Sequence, residues 1–123
     1  MENKTIIFID RNEFFRKLYK NKFEKKGMEV IQDKGRESLE KIKENKPDLV
    51  ITDVILNGTD GFSIIEDMKE DEELSDIPVI VFTSLSQETD KKNAEELGVD
   101  AYFVKQDVQI SEMMNKVTEL LSS

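Results

Sequence analysis

Two aspartates, a threonine and a lysine occupy one kind of position in this sequence. Each closes a short run of strand-forming residues: Asp10 follows TIIFI, Asp53 follows DLVIT, Thr83 ends IPVIVFT and Lys105 ends AYFVK. A carboxylate can attack phosphorus and form an acyl phosphate. A hydroxyl and an ammonium nearby then hold the new oxygens, while a divalent cation offsets their charge. Each residue also has a plain reading. The aspartates suit helix N-caps or solvated loops, Thr83 suits any strand end, and Lys105 suits any surface. Four such residues at successive strand ends point instead to one site.

The elements that position them follow from the hydrophobic pattern. Thr5–Asp10, Asp48–Asp53 and Ile77–Thr83 are near-continuous apolar runs, as expected of strands buried on both faces. Met28–Gln32 and Ala101–Lys105 are shorter runs of the same kind. Between them Phe14, Phe15, Leu18, Tyr19 and Phe23 recur at helical spacing, as do Leu39 and Ile42, then Phe62, Ile64, Ile65 and Met68, then Ala94 and Leu97. Ile110, Met113, Met114, Val117, Leu120 and Leu121 form the longest stripe. Gly27 and Gly98 stand where helices end, and Pro47 and Pro78 at strand entrances. Five strands alternating with five helices predict a parallel sheet with right-handed crossovers. Ligands of such sheets gather at the carboxyl ends of the strands, where the four residues lie. Lysine- and glutamate-rich runs such as EKIKENK read as solvated helix faces.

Composition narrows the chemistry. With 123 residues, the chain is expected to form a single domain spanning 1–123. It has no cysteine and no histidine, which excludes disulfides, thiolate zinc sites and imidazole catalysis. A net charge of −9 disfavours nucleic acid as a partner. No apolar stretch approaches a membrane span, and no signal-peptide core opens the chain, so a cytoplasmic location is expected.

The same residues resemble the receiver domain of response regulators, the CheY-like family of two-component signalling. The resemblance covers essentially the whole chain, through Asp10, PDLVITDVILNGTDG around Asp53, IPVIVFTS around Thr83 and GVDAYFVK ending at Lys105. The steps from Asp53 to Gly61 and from Asp10 to Arg16 also match the family's spacing. It implies a doubly wound, flavodoxin-like (βα)5 fold with strand order 2-1-3-4-5. It further implies that Asp53 is the phosphoacceptor, supplied by a histidine kinase or phosphotransfer protein. Thr83 would turn onto the phosphate, Lys105 would pair with it, and Tyr102 would be the aromatic switch. Asp10 and Asp53 would hold Mg²⁺. The surface of the fourth helix, fifth strand and fifth helix would carry the signal to a downstream protein.

The sequence departs from the family at Arg11, in FIDRN, where a second acid normally ligates Mg²⁺. Arginine offers no oxygen ligand and repels a dication, so Mg²⁺ binding is expected to be weakened. An inward Arg11 would pair with Asp53, whereas an outward one would leave a two-carboxylate metal site. Gln106 replaces the proline that usually follows the lysine, and Asn57 and Thr59 replace a proline and a methionine. A trans bond is therefore expected before Gln106, because cis bonds are nearly confined to proline.

The leading expectation is a stand-alone response regulator, phosphorylated on Asp53 and acting through a partner protein. It would not be an enzyme beyond its own phosphorylation and dephosphorylation. The alternative is a pseudo-receiver, an interaction module whose conformation is independent of phosphate. A flavin protein or aspartyl-phosphate phosphatase fits less well. RNEFF lacks a phosphate-cradling composition, and the second acid such a phosphatase needs is Asn12.

Overall fold

Strand and helix alternate five times in the computed structural model, which describes residues 3–122. The strands are β1 (Thr5–Ile9), β2 (Glu29–Asp33), β3 (Leu49–Thr52), β4 (Val79–Thr83) and β5 (Ala101–Val104). The helices are α1 (Glu13–Glu24), α2 (Ser38–Asn45), α3 (Gly61–Glu70), α4 (Glu88–Glu96) and α5 (Ile110–Leu121). All strand pairs are parallel, and the order is β2-β1-β3-β4-β5.

Side chains alternate across the sheet with the two-residue period of a strand, which gives two cores. Ile6, Phe8, Leu49, Ile51, Ile80 and Phe82 face Tyr19 and Phe23 of α1 and Met113, Val117 and Leu121 of α5. Ile7, Ile9, Val50, Val79 and Val81 face Ile42 of α2, Ile64, Ile65 and Met68 of α3, and Ala94 of α4. The doubly wound fold expected from the sequence is thus present, with α1 and α5 on one face and α2, α3 and α4 on the other.

Strand limits differ slightly from the sequence reading. β2 starts at Glu29, one residue late, because the Met28 amide is occupied by Phe23 O in the turn leaving α1. β4 starts at Val79, because the Ile77 amide closes a turn onto Leu74 O and Pro78 has no amide hydrogen to give. β1 and β3 stop one residue short of Asp10 and Asp53, and β5 one short of Lys105. Gly27 and Gly98 do take the left-handed φ of helix-ending turns, at 86° and 81°. No peptide bond among the described residues is cis.

The helices are not equally held. α1, α3 and α5 each bury three or more side chains, whereas α4 buries only Ala94. Gln87, the residue that precedes α4, makes no side-chain cap for it.

Candidate functional site

Backbone hydrogen bonds carry the sheet one step beyond the strands and fix the residues that follow. The Asp10 amide donates to Asp33 O at 3.0 Å, the Asp53 amide to Ile9 O at 2.9 Å, and the Lys105 amide to Thr83 O at 2.8 Å. Asp10 and Asp53 are thereby set side by side at the carboxyl edge. Asp10 is 1% exposed and Asp53 7%.

Local hydrogen bonds then aim the side chains. Asp10 Oδ1 accepts from the Asn12 amide at 2.8 Å, and Asn12 Oδ1 caps α1 by accepting from the Phe14 amide at 2.9 Å. The buried Arg16 guanidinium donates through Nη1 to the Asp10 carbonyl oxygen at 2.7 Å. Asp53 Oδ1 accepts from the Val54 amide at 2.6 Å, and Thr52 Oγ1 donates to Asp53 O at 2.8 Å. Gly61, the first residue of α3, explains the spacing that follows Asp53. A Cβ there would sit 2.2 Å from Asp53 O, so only glycine lets α3 start against the acid.

Lys105 joins the two carboxylates. Its Nζ lies 2.9 Å from Asp53 Oδ2, to which it donates a hydrogen bond, and 2.8 Å from Asp10 Oδ2. The second contact is an ion pair without hydrogen-bond geometry, so Asp10 Oδ2 accepts no hydrogen bond although it is buried. Burial pushes the Asp10 carboxyl above its usual range despite the Lys105 ammonium and the Asn12 amide, which act in the opposite direction. The same ammonium lies 4.7 Å from the Phe15 ring centroid and 5.4 Å from that of Phe82, so two aromatic faces hold it in place.

The site opens into a cleft of about 800 Å³. Asp10, Asp53 and Lys105 line it together with Arg11, Ser84 and Gln106. Arg11 is exposed and forms no ion pair with Asp10 or Asp53 among the described residues. The inward pairing weighed from the sequence is therefore absent, and the guanidinium borders the cleft instead. Thr83 is wholly buried at the end of β4 and does not line the cleft. Its Oγ1 lies 3.4 Å from the Leu85 amide. Tyr102 is half-buried on β5 and donates to the Leu85 carbonyl at 2.8 Å. Burial, then the charges of Asp90 and Asp53, push its hydroxyl up to about 12.

Sequence reasoning thus brought Asp10, Asp53 and Lys105 to one place, with Thr83 and Tyr102 just behind them. It missed Phe15, counted only as a helix-stripe residue, and Leu85, which links Thr83 to Tyr102. Phe15 sits five positions beyond Asp10, and that proximity to β1 was the available signal. Nothing in the sequence marks Leu85.

The family model described as the response regulator receiver domain matches residues 6–118. The chain belongs to that family. The receiver is 33% identical over 103 residues to the polar-differentiation response regulator DivK of Brucella ovis, covering 83% of this chain and 84% of that protein. Among solved structures it is similar to the signal receiver domain of a signal transduction histidine kinase from Syntrophus aciditrophicus. That likeness has a TM-score of 0.87 at 28% identity, covering 97% of this chain and 90% of that one. The activated N-terminal receiver domain of Klebsiella pneumoniae RstA shares the fold, with a TM-score of 0.88 at 24% identity over 98% of this chain and all of that one. No helix among the described residues is long and apolar enough to cross a membrane.

Proposed function

We propose that this receiver accepts a phosphoryl group on Asp53 from a histidine kinase or phosphotransfer protein. It then signals to a partner protein through the face formed by α4, β5 and α5. The observation that carries this reading is the Lys105 ammonium held between Asp53 and Asp10, at 2.9 and 2.8 Å. An Asp53 carboxylate oxygen attacks phosphorus, and the bond from phosphorus to the donor breaks. Its electron pair stays with the donor, which takes up a proton from water. The acyl phosphate places new negative oxygens beside Lys105. Arg11, at the rim of the same cleft, supplies a second cation for them. Thr83 serves this reading by rotating its hydroxyl towards the phosphate, and Tyr102 by occupying the space released.

Mg²⁺ is the ion the family implies here, and this donor set fits it poorly. Asp10 and Asp53 both face the Lys105 ammonium, Arg11 replaces the third acid, and no three acidic residues converge as ligands among those described. We therefore expect weak Mg²⁺ binding at most and assign no step to it.

Incubation with phosphoramidate, with and without Mg²⁺, tests the proposal by intact mass. Wild type should gain one phosphoryl increment that hydroxylamine removes, and Asp53→Asn should gain none. An adduct that persists in Asp53→Asn removes the nucleophile assignment.

A phosphate-independent interaction module is the second reading. Arg11 in the cleft favours it, as does the Gln106 side-chain amide, which donates to Ser84 O at 3.3 Å across the rim. It predicts no increment in either protein.

A further inference from the structure

A second cleft, of about 820 Å³, lies beside the first, where β2 gives way to α2. Four cations line it: Arg16 of α1, Lys34 and Arg36 of the connecting loop, and Lys41 of α2. Such a concentration runs against a chain of net charge −9. The acids in the cleft are Asp33 and Glu37. Asp33 is already engaged, accepting from the Gly35 amide at 2.9 Å, Ser38 Oγ at 2.5 Å and Lys41 Nζ at 2.9 Å. Lys34 and Arg36 are exposed and form no ion pair among the described residues. Arg16 is buried yet donates one hydrogen bond, to Asp10 O. None of its nitrogens is a buried orphan, so its other donors reach solvent, and the residue lines the cleft.

The cleft wall is shaped to admit a guanidinium. Gly58 takes a φ of +78°, and a Cβ there would stand 2.9 Å from Arg36 Nε. A side chain at that position would push Arg36 away. Leu56 is the one hydrophobic residue that lines the cleft.

We propose that this cleft is a binding site for a small polyanion carrying two or more linked phosphate groups. Planar guanidinium groups recognise phosphate oxygens in pairs, which a lone ammonium does not. The volume lies within the roughly 300–1,000 Å³ of small-molecule sites. A lining with one hydrophobic residue and four cations selects charge over a hydrophobic body. Because Lys41 is the partner of Asp33, the cations left for the ligand are Arg16, Lys34 and Arg36, and Glu37 is the one acid left to oppose it. Asn57 lines both clefts, and Arg16 reaches from this one to the Asp10 carbonyl, so the anion would sit against the wall of the acidic site.

Calorimetric titration of the full chain with inorganic pyrophosphate and triphosphate tests the site without reference to Asp53 phosphorylation. Saturable one-to-one binding is expected, tighter for triphosphate and weakening as salt rises. The double variant Lys34→Ala/Arg36→Ala should lose about tenfold in affinity for each cation removed. Lys25→Ala/Lys26→Ala makes the same change in net charge at exposed positions away from the cleft and should leave affinity unchanged. Equal binding by the two double variants overturns the proposal. So does binding no stronger than that of chloride at matched ionic strength. Tighter binding of a short polyglutamate peptide than of triphosphate would also overturn it, reassigning the cleft to a protein partner.

Discussion

Tyr102 and Leu85 are joined by a 2.8 Å hydrogen bond from the phenol to the backbone carbonyl, while the amide of the same leucine faces Thr83 Oγ1 at 3.4 Å. One residue therefore ties the end of β4 to the aromatic of β5. Tyr102→Phe should destabilise the fold by about 1 kcal/mol, the usual net worth of one such bond. Denaturant unfolding measures the difference. Both tyrosines titrate above the ordinary phenol range, each chiefly through burial. Alkaline ultraviolet titration should thus show no phenolate forming near pH ~10, the free tyrosine value.

Lys105 is the only cation paired with Asp10 and Asp53 among the described residues, and all three side chains are largely buried. Lys105→Met would leave two adjacent carboxylates without a counter-ion. A loss of about 3–5 kcal/mol is expected, as for other buried pairs broken on one side. Adding Asp10→Asn should recover part of it, because the two changes act on one cluster. Purely additive losses in the double variant would mean the ammonium does not couple to Asp10.

Arg11→Asp should replace the rim cation with an oxygen ligand. Mg²⁺ binding at least about tenfold tighter than wild type is expected, from the reversed Coulomb sign and the added ligand. Without Mg²⁺ the variant should melt lower, since a third carboxylate joins Asp10 and Asp53. Added Mg²⁺ should restore the melting temperature by mass action. Melting curves with and without the ion decide the matter, and wild type responding as strongly as the variant would sink the idea.

Asp33 should give part of the acid sensitivity of the fold. Burial opposes its charge, but the Ser38 hydroxyl, the Lys41 ammonium and the Gly35 amide outweigh burial and hold its carboxyl below the usual range. A depressed folded-state value stabilises above the unfolded value and is lost as pH falls through the folded one. Asp33→Asn should thus lower stability by on the order of 2 kcal/mol at neutral pH. The gap from wild type should close only below pH 3.8, the ordinary value. A gap that stays constant down to strongly acidic pH would contradict this account.

The alternation of strands and helices was legible because buried parallel strands read as apolar runs and the helices between them carry stripes. Asp10, Asp53 and Lys105 were legible for the same reason, since the strand ends could be read directly. Arg11 was not: residue type fixes its charge but not whether a flexible side chain folds inward, and the structure leaves it exposed. The second cleft was hidden for another reason. Its cations come from α1, the loop after β2 and α2, and Lys41 sits in a run that reads as an ordinary solvated face. Only the pairing of β1 with β2, which brings Asp33 beside Ile9, assembles them.

The single buried side chain of α4 has a consequence for motion. Local opening of a helix must expose whatever core it covers, at about 0.8 kcal/mol per methyl-sized group. Peeling α4 away uncovers the Ala94 methyl, whereas peeling α5 uncovers Met113, Val117 and Leu121. The molecule is thus softest along one flank, and backbone amides there should exchange with solvent deuterium well before those of the other long helices. A small free-energy change at the strand ends would be too weak to shift a well-anchored helix. It is large enough to repopulate one so lightly fastened.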